Sequence, residues 1–140
     1  MGAITNQTPT LQALILADDV YIDRDTGKKV IAGTFKDLQS SEFPASFART
    51  TKAFISLTGA RGDLRLQLRW VDLADDRVWM ESPELVHNTK DNDPLMTYEF
   101  IIAVPGFPMP HPGHFAFEVY CNDQRLGALR MVVLKRETGA

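Results

Sequence analysis

Three stretches of this chain alternate apolar and polar residues with a period of two, and that pattern decides the class of fold. In Asp63–Trp70 (DLRLQLRW), Leu64, Leu66, Leu68 and Trp70 fall on one side and Arg65, Gln67 and Arg69 on the other. In His114–Cys121 (HFAFEVYC), Phe115, Phe117, Val119 and Cys121 oppose Ala116, Glu118 and Tyr120. In Met96–Val104 (MTYEFIIAV), Tyr98, Phe100, Ile102 and Val104 share a side, with Thr97 and Glu99 opposite. Successive side chains of a strand point to opposite faces, so each stretch describes a sheet with one face on a core and one on water.

Shorter apolar runs predict further strands at Leu11–Ala17, Val30–Phe35, Ala53–Leu57, Arg77–Glu81 and Ala128–Leu134. Between them stand turn-forming clusters: RDTGKK, TGARGD, LADDR, KDNDP and CNDQRLG. The sum is about eight strands and no long helix. The place for a short helix is the connection Asp37–Thr50 (DLQSSEFPASFART). An all-β chain of this kind is expected to be a single antiparallel two-sheet β-sandwich, immunoglobulin-like or C2-like, with a jelly roll as the nearest competitor. At 140 residues one domain suffices. It is expected over residues 11–135, between an N-terminal extension (1–10) and a C-terminal tail (136–140).

The segment Val104–Gly113 (VPGFPMPHPG) carries Pro105, Pro108, Pro110 and Pro112. Each proline removes a ladder donor and fixes φ, so the segment is not a central strand and reads as a rigid crossover between sheets. Gly113 then admits the chain to the alternating stretch that follows. That entry resembles the Asp-x-Gly-x-Tyr-x-Cys corner of immunoglobulin domains at Gly113. His111, Phe115 and Phe117 replace the Asp, Tyr and Cys, so the corner's tyrosine hydrogen bond cannot form.

A wider resemblance runs from Leu11 to Val133. LILADDVYIDRDTGKKVIAGTF, LRLQLRWVDL, VPGFPMPHPGHFAFEVYC and RLGALRMVV, in this order, resemble a family of small bacterial proteins of unknown function predicted to be β-sandwiches. The resemblance implies a bacterial origin and a stand-alone domain, and it supplies no catalytic residues.

Charge and composition exclude several functions. A net charge of −3 and a pI near 5.5, with no run of Lys or Arg, argue against nucleic-acid binding. No apolar run approaches the roughly 20 residues of a membrane helix, and the start MGAITNQTPT lacks the features of a secretion signal. Cys121 is the single cysteine, which fits a reducing compartment. The expectation is a cytoplasmic protein that does not insert in membranes.

The residues that could carry chemistry each have a plainer reading. His111 and His114 form H-x-x-H, with His87 far off in sequence, but there is no HExxH, no CxxC and only one thiol to complete a zinc site, and the two read as exposed loop residues. Asp18, Asp19, Asp23, Asp25, Asp72, Asp75, Asp76, Asp91, Asp93 and Asp123 all sit near turns. C2-like sandwiches collect such carboxylates around Ca²⁺, yet turns favour aspartate for its local capping. Arg61-Gly62-Asp63 matches the integrin tripeptide and reads as a hairpin turn. TGKK (Thr26–Lys29) lacks the spacing of a phosphate loop. No nucleophile signature surrounds any serine or threonine, and Cys121 points into the core, where a thiol is inert. These observations predict a protein that is not an enzyme and needs no cofactor or metal.

Aromatic residues remain. If Val78 and Met80 face the core, Trp79 faces outward, and Tyr120 does so opposite Val119 and Cys121. Outer aromatics serve as contact platforms. Phe107 and Met109 would stand on an exposed, proline-stiffened docking ridge. The expected function is therefore binding or assembly with a protein partner or a second copy, through sheet edges and apolar loops, with Trp79, Phe107, Met109 and Tyr120 as contact residues. A Ca²⁺- or carbohydrate-binding module is the alternative.

Overall fold

The structure, a computed structural model, describes residues 7–90 and 93–137. The described residues form twelve strands and no helix: β1 (Thr10–Ile22), β2 (Lys29–Thr34), β3 (Leu38–Ser40), β4 (Ala45–Phe47), β5 (Thr51–Thr58), β6 (Asp63–Asp72), β7 (Arg77–Glu81), β8 (Leu85–Asn88), β9 (Tyr98–Val104), β10 (Phe107–Met109), β11 (Gly113–Cys121) and β12 (Gln124–Lys135). One sheet has the order β2-β1-β5-β9. A larger one has the order β3-β12-β11-β6-β7, with β8 also on β6, and β10 pairs with β4 in a two-stranded ladder. All pairings are antiparallel except β3 with β12.

The alternation read in the sequence sets the centre. Leu64, Leu66, Leu68 and Trp70 of β6 are fully buried, and β11 places Phe117 opposite Trp70 and Val119 opposite Leu68. From the smaller sheet, Ile55 and Leu57 of β5 and Phe100, Ile102 and Val104 of β9 enter the same core. Trp70 lies at its hub, stacked on Phe115 at 4.9 Å and tilted against Phe107 and Phe117 at 4.7 and 4.6 Å. Burying such rings contributes both area and favourable ring geometry.

Four strands exceed the eight expected, and each is three or four residues long, too short for alternation to show. The connection expected to hold a short helix carries β3 and β4 instead. The proline-rich segment does cross from one sheet to the other, since β9 and β11 belong to different sheets, but it is not strand-free. Phe107–Met109 pairs with Phe47–Ala45, and Pro108 is tolerated because this small ladder has no third strand among the described residues. Gln7 and Pro9, in the expected extension, are tied to the domain: the Gln7 N–H donates to the Arg61 carbonyl and Pro9 is buried.

β1 is nearly twice its expected length, and the β1–β2 hairpin closes over the smaller sheet. In register, Glu99 lies opposite Ser56, and Ser56 opposite Ala13, whereas Lys29 lies opposite Ile22. The nine residues from Ala13 to Ile22 would span about 30 Å if straight. Yet Lys29 Nζ is 3.2 Å from Glu99 Oε1. The hairpin must therefore curl back over the outer face, and a second, smaller apolar cluster fills the space beneath it: Ala17, Val20 and Phe54, with Ala13, Ile15, Ile31 and Ile101 packed around them. Within the hairpin Gly33 has φ 78°, and any side chain there would strike the Asp18 carboxylate.

Candidate functional site

The three histidines are held apart. His87 of β8 packs edge-on against Tyr98 and Phe100, each with its centroid 5.4 Å away. His114 is exposed at the start of β11. His111 is not a free loop residue. Its Nε2 lies 2.5 Å from Oδ2 of the buried Asp72, and its Nδ1 lies 2.6 Å from the Pro112 carbonyl oxygen. The bond to Pro112, then the bond to Asp72, hold the His111 pKa above the ordinary imidazole value, and Asp75 adds to the effect. Both ring nitrogens face oxygen atoms, and in the doubly protonated form that this favours the ring offers no lone pair to a metal or a substrate proton. The arrangement fastens the crossover to the end of β6.

Six of the aspartates have partners of their own, at separate places. Asp18 pairs with Arg49 and Asp19 with Lys52, each at 2.9 Å. Asp23 accepts from the Asp25 and Thr26 N–H groups in the TGKK turn. Asp72 also accepts from the Ala74 N–H, Asp75 from that of Arg77, and Asp93 from that of Leu95. Asp91 lies outside the described residues. Among the described residues no three His, Cys, Asp or Glu side chains are placed to share a metal ion. In the Arg61-Gly62-Asp63 turn, the Thr89 hydroxyl accepts from the Gly62 N–H, and Asn88 donates to the Asp63 carboxylate. Cys121 is buried, and that burial pushes its thiol pKa up, away from nucleophilic chemistry. The recess lined by Ser41, Glu42, Lys135, Arg136 and Glu137 has no aromatic ring, histidine or cysteine in its lining.

The four residues expected to meet a partner are placed differently from one another. Phe107 and Met109 are 1% and 3% exposed, so the ridge reading is corrected. The pleat of β10 turns both inward, where Phe107 stacks on Phe47 at 5.0 Å and the Trp70 Nε1–H donates to the Pro108 carbonyl at 2.8 Å. The parity assigned to Trp79 is also reversed. Trp70 faces Met80 while Val71 faces Val78, a bulge that adds one residue to β7. Trp79 thereby packs against the core, and Val78 is the exposed residue, at 41%. The Trp79 indole N–H is buried with no hydrogen-bond partner among the described residues, and the Arg77 guanidinium lies 3.9 Å from its ring centroid. Tyr120 does face outward, in a polar network. The Arg69 guanidinium sits 3.8 Å from its centroid, its hydroxyl donates to Glu118, and Glu118 accepts from Arg125. Burial and the Glu118 carboxylate raise the Tyr120 pKa.

The sheet edges differ in how they are guarded. β7 and β8 are short and interrupted at Ser82–Glu84, and β7 is bulged. β3 has three residues. β2 carries Lys29 and the left-handed Gly33. β12 carries Arg125 and Arg130, and Leu11 of β1 packs onto its Gly127. Among the described residues, β9 is the last strand of its sheet and pairs only with β5. Its stretch Glu99–Val104 (EFIIAV) has no proline, no glycine, no lysine and no bulge. Its one charge is Glu99, which is paired with Lys29; the missing features are devices that normally blunt an edge.

Strands, buttressed turns and this edge define an all-β domain. The chain belongs to a family of unknown function (DUF6941), whose model matches residues 12–134. Among solved structures, an immunoglobulin-like protein from Pseudomonas aeruginosa is similar at 14% identity and a TM-score of 0.43, over 91% of this chain and 98% of that one. Comparison with curated proteins finds no match.

Proposed function

We propose that this domain is a non-enzymatic β-sandwich of the immunoglobulin-like or C2-like kind that binds protein by adding a strand at the outer edge of β9. The unguarded edge Glu99–Val104 is the observation that carries this reading, since every other long edge bears a blocking device. An added strand would take its affinity from main-chain hydrogen bonds and its register from the alternating side chains. Phe100, Ile102 and Val104 point to the core, while Glu99, Ile101 and Ala103 lie on the other face. The engagement of His111 by Asp72 and Pro112 supports a binding role over a catalytic one. The dispersal of the aspartates, and the guanidinium groups lying on Trp79 and Tyr120, favour it over a calcium or carbohydrate module.

A photo-crosslinking residue at Ala103, introduced in the cell the protein comes from, tests the proposal. The same residue at Arg130, exposed on the other sheet, is the control. A discrete product from position 103 and none from 130 is expected. No product at 103, or equal products at both positions, would refute strand addition.

A further inference from the structure

We infer that the strand added at β9 is β9 of a second copy of this chain, antiparallel about a two-fold axis at Ile101. This inference rests on the strand-addition reading and names its partner. The seven residues of β9 overlap completely with their own copy only when Ile101 meets Ile101, which puts Glu99 opposite Ala103 and Tyr98 opposite Val104. Inward-facing residues then meet inward-facing ones, as a shared core face demands.

The outer face is self-complementary in this register. Within one chain Phe54 lies opposite Ile101, so pairing builds a continuous apolar row: Phe54, Ile101, then Ile101 and Phe54 of the second copy. Beside this row Lys52 lies opposite Ala103, which in turn faces Glu99 of the second copy. Lys52 and that glutamate stand two strand spacings apart, about 10 Å. Only the small, exposed Ala103 separates them, so the lysine ammonium and the carboxylate can reach across it. The symmetry makes this contact twice. No like charges meet: Asp19 lies beside Lys52 and Lys29 beside Glu99, leaving each row alternating in sign. The hairpin adds apolar surface near the axis. Ile22, opposite Lys29, is 58% exposed and Tyr21 is 48% exposed, and the Lys29–Glu99 pair brings this end of the hairpin to the β9 rim.

Opposite-sign substitutions at Ala103 provide the test, read by sedimentation equilibrium of the full chain. The wild type should show a reversible monomer–dimer equilibrium. Ala103→Glu sets two pairs of carboxylates face to face and should weaken dimerisation about tenfold, whereas Ala103→Lys sets ammonium against carboxylate and should strengthen it several-fold. Glu99→Lys combined with Ala103→Glu should restore association to the Ala103→Glu protein, a rescue that covers any loss of stability in the single variant. A wild type and an Ala103→Lys variant that both stay monomeric overturn the inference, as does movement of both single variants in one direction. If the cross-link at position 103 then yields a different protein, the edge reading stands without the second copy; if it yields nothing, both fall.

Discussion

The β6–β11 pair and the β4–β10 ladder both bury large apolar side chains, and they do so by opposite means. β6 and β11 run side by side for seven residue pairs, so the pleat alone aims Leu66, Leu68, Trp70, Phe117 and Val119 inward. β4 and β10 share only three pairs, one of them through a proline. Their burial depends on individual contacts: the Phe47–Phe107 stack between the two strands, the Trp70 indole bond to Pro108, and the His111–Asp72 clasp beyond the strand's end. A long ladder specifies its faces by period, and a short one must be fastened. The contrast predicts that the first region fails by cavity formation and the second by loss of individual bonds.

The largest effect should come from the ladder. Phe117→Ala is expected to cost about 3–5 kcal/mol in denaturant unfolding, while Arg65→Ala on the opposite face changes stability by about 0.5 kcal/mol or less. A damaging Arg65 substitution with a mild Phe117 one would invert the faces and break the comparison.

The first fastening should be worth less. Trp70→Phe keeps an aromatic ring beside Phe107, Phe115 and Phe117 but removes the N–H that reaches Pro108. The loss should be about 1–3 kcal/mol, accompanied by faster amide exchange in Phe107–Met109 than in β11. Equal acceleration in both strands would mean that the ladder is no separate unit.

The clasp is smallest and depends on pH. The folded His111 pKa is raised, so its stabilisation is fully present below the unfolded value of about 6.5 and disappears as pH rises through the folded value. With the ring 44% exposed, the contribution is under about 1 kcal/mol. Wild type should exceed His111→Ala in stability at about pH 5.5, and that gap should shrink by about pH 9. A gap that widens with pH would show that the ring acts without its proton.

The same contrast explains what was legible from sequence. Residues 63–72 and 113–121 could be read because two neighbours pair with them over nearly their whole length and only one face is buried. β4 and β10 could not, because three residues hold no period and Pro108 argued for a loop. Trp79 was misplaced by one inserted residue, which reverses parity without leaving any trace in composition. β5 is a subtler case. Phe54 and Ser56 are buried on the face turned away from the main core, beneath the curled hairpin, so a two-sided environment replaced the expected alternation. Nothing local in β5 announces that cover; it follows from how far β1 runs. The His111–Asp72 clasp joins residues 39 positions apart, beyond the reach of any spacing rule. The β9 edge was visible only as one of several open-sandwich edges, and singling it out required knowing what guards the rest.

Cys121 gives the molecule an internal clock. It is the chain's one sulfhydryl, it faces Leu66 in the last pair of the β6–β11 ladder, and its burial disfavours the thiolate. An alkylating reagent reaches it when that end of the ladder parts, so the labelling rate reports how often this end of the core opens, with no dye or engineered probe. A cysteine placed anywhere on the surface would react orders of magnitude sooner, leaving two thiols in one chain that keep time on different events.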